Sequence, residues 1–184
     1  AMSTPTPQTC PNQVITFTAI ENLAANGLPI TLTISPNNSG ATFVATGTST
    51  LTTTAVSGTQ SFTVNTGSGT GFGTVNLVYT SGGAGCSASF DVDNVVVTAT
   101  TDPVCSPNTG TITAIASSTI PGQTFTYVLN PGGTSNNTGV FAGLVAGPSY
   151  TVTATGNLLP CNATSNAVSI IFNPVTEDNT ASGT

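Results

Sequence analysis

The chain has 184 residues, six of them acidic and none of them Lys, Arg or His, for a formal charge of −6. Without cations it repels polyanions, which excludes nucleic acids and anionic membrane leaflets as partners, and nucleotide chemistry has neither a P-loop lysine nor an arginine finger. A Ser or Cys nucleophile has no His or Lys base and a zinc centre has no histidine, so a glycosidase-type pair of carboxylates is the one catalytic inventory left.

Hydrophobic residues make up 38% of the chain and Thr, Ser, Gly, Asn and Val dominate the rest, a mixture of β-formers and turn-formers that predicts a folded chain. No apolar run is long enough to span a membrane as a helix. The opening "AMS" lacks a basic n-region and reads as a processed end.

Along the chain the pattern is strand after strand. Ile15, Phe17 and Ala19 alternate with Val14, Thr16 and Thr18, and Ile30, Leu32 and Ile34 alternate with Thr31 and Thr33. Period-two patterning with Thr on the polar face describes half-buried strands. Turns follow at "SPNNSG" (35–40) and "TGSGTGFG" (66–73), then a strand at 75–80, a turn at "SGGAG" (81–85) and a short linker, "TATTDP" (98–103). Beyond the linker, Gly110–Ala114 and Phe125, Tyr127 and Leu129 repeat the strand style, "NPGGTSNNTG" (130–139) is a turn, and "YTVTA" (150–154) and "AVSIIF" (167–172) close the series. No stretch carries a sustained helical period.

The second half repeats the first. An offset of 95 places Cys10 on Cys105, "TFTAI" (16–20) on "TITAI" (111–115) and "GLPITLTISP" (27–36) on "GQTFTYVLNP" (122–131). An offset of 75 places "VNLVYTSGGAGC" (75–86) on "YTVTATGNLLPC" (150–161) and Val95–Val97 on Ile170–Phe172. The offsets differ by 20, so the first unit carries an insertion of that size between residues 37 and 74. The expected fold is all-β: two tandem Ig-like antiparallel β-sandwiches over 1–99 and 100–174, followed by a polar tail over 175–184.

Four cysteines without a C-x-x-C pair read as two disulfides, which persist outside the reducing cytosol; four buried thiols are the alternative. Because each unit opens with one cysteine and carries another before its last strand, the economical pairing is Cys10 with Cys86 and Cys105 with Cys161, one bridge per unit. Each would contribute about 4 kcal/mol through loop closure.

The second unit also resembles a known family. Phe141, Gly143, Leu144, Ala146, Gly147, Tyr150, Val152 and Cys161 occupy the positions of the Phe, "G-L", "A-G", "Y-T-V" and closing Cys of the SprB-type repeat of Bacteroidota cell-surface proteins. Pro148-Ser149 before the tyrosine and "LLPC" at the end depart from that pattern. The resemblance covers residues 103–174 and reaches the first unit only through the internal repeat. It implies a secreted, Ig-like module of a surface protein or gliding adhesin, and supplies neither ligand nor active site. "DPVC" (102–105) and "NPVT" (173–176) stand in corresponding places, as if a third unit began.

Candidate sites are few. Asp91 and Asp93 in "FDVDN" (90–94), with Asp102 in the linker, could supply oxygens to a Ca²⁺ ion at a domain junction, the one cofactor entertained; a solvated face guarding a strand edge is the plainer reading. The same Asp91–Asp93 pair lies roughly 7 Å apart on a strand, as glycosidase carboxylates do, with nothing else marking a cleft. Tyr127 and Tyr150 alternate with core residues, so any sugar stacking falls to Tyr79 or to the loops of the first-unit insertion. Asn37, Asn136 and Asn162 stand in N-x-S/T sequons, which matter only in a host with Asn-glycosylation machinery; in a bacterial protein the plainer reading is turn residues.

These features predict no enzyme but an extracellular structural or adhesive module of a bacterial cell-surface protein. Its expected partners are other protein modules, with surface glycans as a further candidate. Two alternatives remain: a filament subunit that donates "AVSIIF" or its N-terminal segment to a neighbour's sheet, and a carbohydrate-binding module. At ordinary frequencies about twenty Lys and Arg would be expected; their absence removes every trypsin site and rules out Lys–Asn isopeptide staples.

Overall fold

A computed structural model describes residues 1–3, 8–21, 27–79, 85–102 and 109–171. Every regular element among them is a strand. Contacts divide the chain into two compact units: the first holds Ala1–Asn94 with Thr119–Pro121 and Leu159–Cys161, and the second holds Val95–Ser118, Gly122–Leu158 and Asn162–Thr184.

The first unit contains β1 (Met2–Ser3), β2 (Gln8–Thr9), β3 (Val14–Glu21), β4 (Pro29–Asn37), β5 (Thr42–Phe43), β6 (Thr50–Thr54), β7 (Gly58–Asn65), β8 (Gly71–Tyr79) and β9 (Cys86–Val92). They form two sheets, ordered β1-β3-β7-β5 and β2-β9-β8-β4-β6, antiparallel except for the β2–β9 pair. Alternation buries Ile15, Phe17 and Ala19 from β3 against Ile30, Leu32 and Ile34 from β4, with Val75, Leu77, Phe90 and Val92 completing the core. Phe17 and Phe90 meet edge to face, their centroids 5.9 Å apart. Gly73 makes this possible, because a Cβ there would run into the Phe90 ring.

The second unit contains β10 (Val96–Thr101), β11 (Thr109–Ser117), β12 (Phe125–Asn130), β13 (Ser135–Asn136), β14 (Val140–Val145), β15 (Ser149–Gly156), β16 (Asn162–Thr164) and β17 (Val168–Ser169). Its sheets are ordered β10-β11-β14 and β13-β12-β15-β16, with β17 also on β15. Ile112, Ala114, Tyr127, Leu129, Phe141, Tyr150 and Val152 form its core. The Tyr150 hydroxyl donates to the Val145 carbonyl at 3.2 Å. A tyrosine at the start of a strand, bonded to backbone a few residues upstream, is the corner device of Ig-like sandwiches.

The chain is thus all-β, as two Ig-like sandwiches. The division falls at Asn94/Val95 and not at the expected 99/100, because Val96–Thr101 pairs with β11 from Val96↔Ser117 to Thr101↔Ile112. Residues read as the end of the first unit (Val95–Val97) and as a linker (98–103) thus supply the first strand of the second unit. The stretch between 37 and 74 holds β5, β6 and β7, and the corresponding stretch of the second unit holds only the two-residue β13 and then β14. Residues 173–184, with the "NPVT" motif and the polar tail, lie outside the described residues.

Candidate functional site

The cysteines depart from the duplicated pattern. Cys10 is bonded to Cys161, with Cα atoms 5.2 Å apart, and Cys86 is a half-buried free thiol. The expected Cys10–Cys86 and Cys105–Cys161 pairs are therefore not the bonds formed; Cys105 itself lies outside the described residues. Register gives the reason. The parallel pairing of β2 with β9 sets Thr9 opposite Val92, which seats Cys10 by the C-terminal end of β9, whereas Cys86 begins that seven-residue strand. The strand is roughly 20 Å long, and a disulfide requires Cα atoms within about 7 Å. Leu159–Cys161 belongs by its contacts to the first unit, so Cys161 reaches Cys10 instead.

A buried threonine fixes that corner. Thr66, fully inaccessible, donates its hydroxyl to the Cys10 carbonyl at 2.9 Å and accepts the Gln13 N–H at 3.0 Å. Nothing in the local pattern singles out Thr66 among so many threonines.

Asp91 and Asp93 belong to the first unit and Asp102 to the second. Asp93 is 2% exposed, and its Oδ1 accepts both the backbone N–H of Thr119 at 3.1 Å and the Thr119 hydroxyl at 2.8 Å. The same hydroxyl oxygen receives the Asn94 N–H at 3.3 Å. A buried carboxylate needs such donors, and Asp93 thereby ties the 119–121 turn to the end of β9. Asp91 points away from the core, opposite Phe72 on β8 and Gln8 on β2, and Asp102 is exposed in the second unit. Among the described residues no three acidic, Cys or His side chains form a group able to hold a metal ion. β9 ends at Val92, and the Asp93 carboxylate binds Thr119 instead of standing beside Asp91 on a strand face.

Two of the three tyrosines are structural, and the side chain of Tyr79 lies outside the described residues. Tyr127 is buried and its hydroxyl accepts the Ala116 N–H at 3.2 Å, and Tyr150 serves the corner already described. The one exposed aromatic ring among the described side chains is Phe72, 43% accessible, at the start of β8, where the sequence read a turn. The ladder sets Asp91 directly opposite it, and Gln8 opposite Asp91. One row across three strands thus offers an apolar ring, a carboxylate and an amide.

No family model matches the chain, and no curated protein matches it. Among solved structures, the C-terminal 282-residue fragment of intimin, in complex with the intimin-binding domain of the translocated intimin receptor, is 15% identical with a TM-score of 0.51. The likeness covers 95% of this chain and 64% of that one, so the chain spans less than two thirds of the intimin fragment. FdeC, an Escherichia coli adhesin, is 18% identical over 90% of this chain and 63% of that one, TM-score 0.46. Domains 3 and 4 of rat CD4 are 16% identical over 91% and 99%, TM-score 0.32. At these identities the intimin likeness speaks to the fold, a tandem pair of Ig-like sandwiches.

Proposed function

We propose that the chain is a non-enzymatic extracellular module, two tandem Ig-like sandwiches that extend or present part of a bacterial cell-surface protein and engage other proteins. The observation that carries this reading is the Cys10–Cys161 disulfide in a chain devoid of basic side chains: the bond belongs to an oxidising compartment, and the missing His, Lys and Arg remove most catalytic machinery. The SprB-type resemblance supports the same reading, since Phe141, Tyr150 and Val152, the family's apolar positions, are all core residues of the second unit. So does the fold shared with the intimin fragment, whose partner in that complex is a receptor domain. The test is immunolabelling of intact cells of the source organism with antibodies raised against the chain. Labelling without permeabilisation is the expected result, and labelling that requires permeabilisation would overturn the proposal.

The filament alternative draws less support, because both donor segments have partners in their own unit: Met2–Ser3 pairs with β3, and Val168–Ser169 pairs with β15 while Ile170 is buried beneath. The carbohydrate alternative rests on the Phe72–Asp91–Gln8 row, since a ring face flanked by hydrogen-bonding groups is how proteins hold sugars. On a glycan array, binding by the native chain that is lost in F72A and D91N would establish it; no binding, or binding retained in both variants, would dispose of it.

A further inference from the structure

Three Asn-x-Ser/Thr sequons occur, at Asn37, Asn136 and Asn162, and the fold treats them differently. At Asn37 the carboxamide is engaged at both ends: Nδ2 donates to the Ala41 carbonyl at 2.7 Å, and Oδ1 accepts the Ala41 N–H at 2.8 Å. The hydroxyl-bearing member of that sequon, Ser39, is 1% exposed. At Asn136, Nδ2 donates to the Val140 carbonyl at 2.9 Å, while Oδ1 accepts the N–H groups of Thr138 and Gly139 and the Thr138 hydroxyl. Both arrangements reach only four residues along the chain. Such local side-chain loops need no tertiary structure to form, so they occupy the amide early as well as late.

Asn162 is built the other way. It opens β16, its side chain is exposed and, among the described residues, its carboxamide makes no hydrogen bond. Ladder register sets Asn162 opposite Thr155 and Thr164 opposite Thr153, and the Thr164 and Thr153 hydroxyls touch at 2.9 Å. Alternation then turns Ala163 toward the core, where it packs, and leaves Asn162 and Thr164 on one outward face. The amide and the hydroxyl of this sequon are presented together, at an open strand edge.

We infer that Asn162 is the glycan acceptor of this chain. The donor class is a lipid-diphosphate-linked oligosaccharide: Nδ2 bonds to the sugar's anomeric carbon, the bond from that carbon to the diphosphate oxygen breaks, the lipid diphosphate leaves with the electron pair, and the Nδ2 proton passes to the transferase. The position has a structural use. β16 is the outer strand of the order β13-β12-β15-β16, and exposed edges are usually guarded by lysine or proline. Lysine is absent from this chain, and a bulky polar glycan shields an edge equally well.

The inference shares with the proposed function only the requirement for export, which the experiment itself supplies. The 184-residue chain is secreted from a host that performs Asn-linked glycosylation, and its intact mass and peptide map are recorded before and after digestion with a peptide amidase, which leaves aspartate at each formerly occupied asparagine. One glycan per chain, at position 162, is expected. N162Q and T164A should each abolish the whole mass increment, while N37Q and N136Q leave it unchanged. T164A keeps the asparagine and alters only an exposed hydroxyl, so loss of the glycan in that variant is not a folding failure. An unmodified Asn162 in secreted protein, or a glycan at Asn37 or Asn136, would overturn the inference.

Discussion

The two units share a core frame and differ in how they are closed. Phe17 and Ile112, Ala19 and Ala114, and Leu32 and Tyr127 correspond at the first offset, Val75 with Tyr150 and Leu77 with Val152 at the second, and every one of these residues is buried. The Ser35-Pro36 and Asn130-Pro131 bonds, also in register, are both cis. Duplication has thus kept the apolar positions. It has not kept the closure: the first unit packs Phe17 on Phe90 and holds the disulfide, whereas the second relies on the hydroxyls of Tyr127 and Tyr150 bonded to backbone. A hydrophobic position can be copied with the sequence because any apolar neighbour satisfies it, but a disulfide requires one particular partner within reach.

The largest test of this contrast removes the bond. With a sequence separation of 151, the Cys10–Cys161 link is worth about 5 kcal/mol in the loop-entropy model, so a double C10S/C161S variant should lose stability of that order in denaturant unfolding, while C86S should cost far less. Connectivity can be read directly. A protease cutting before aspartate severs the chain at Asp91, Asp93, Asp102 and Asp178; without reduction the fragments carrying Cys10 and Cys161 should stay joined. Their separation would overturn the Cys10–Cys161 bond.

Core truncation compares the frames themselves. Phe17→Ala should cost about 3–5 kcal/mol and its counterpart Ile112→Ala about 2–5 kcal/mol, both residues being fully buried. A negligible loss at either, measured by chemical denaturation, would show that the two frames do not bear equivalent weight. Smaller effects probe the polar fastenings. Thr66→Val leaves the Cys10 carbonyl and the Gln13 N–H without their shared partner, an expected loss of about 1–3 kcal/mol, and Tyr150→Phe removes one hydrogen bond to Val145, worth about 1 kcal/mol. If Tyr150→Phe proved the costlier of the two, the corner of the second unit would outrank the disulfide corner of the first as a fastening.

Alternation of Val, Ile and Phe with Thr determined the strands, their inward faces and the all-β class by itself, because a period of two leaves one way to bury an apolar face. Self-comparison exposed the two-unit plan. What the sequence could not decide was pairing across distance. Four cysteines permit three connectivities, and only the parallel seating of Gln8–Thr9 beside Asp91–Val92 carried Cys10 away from Cys86. The pairing of β10 with β11, the burial of Asp93 under Thr119, the choice of Thr66 as a bridge and the freeing of Asn162 among three similar sequons were likewise left to the tertiary structure. Local pattern records which residues avoid water; which hydrogen-bonding or sulfur partner each one meets depends on strand register, and that is set only when the sheets pack.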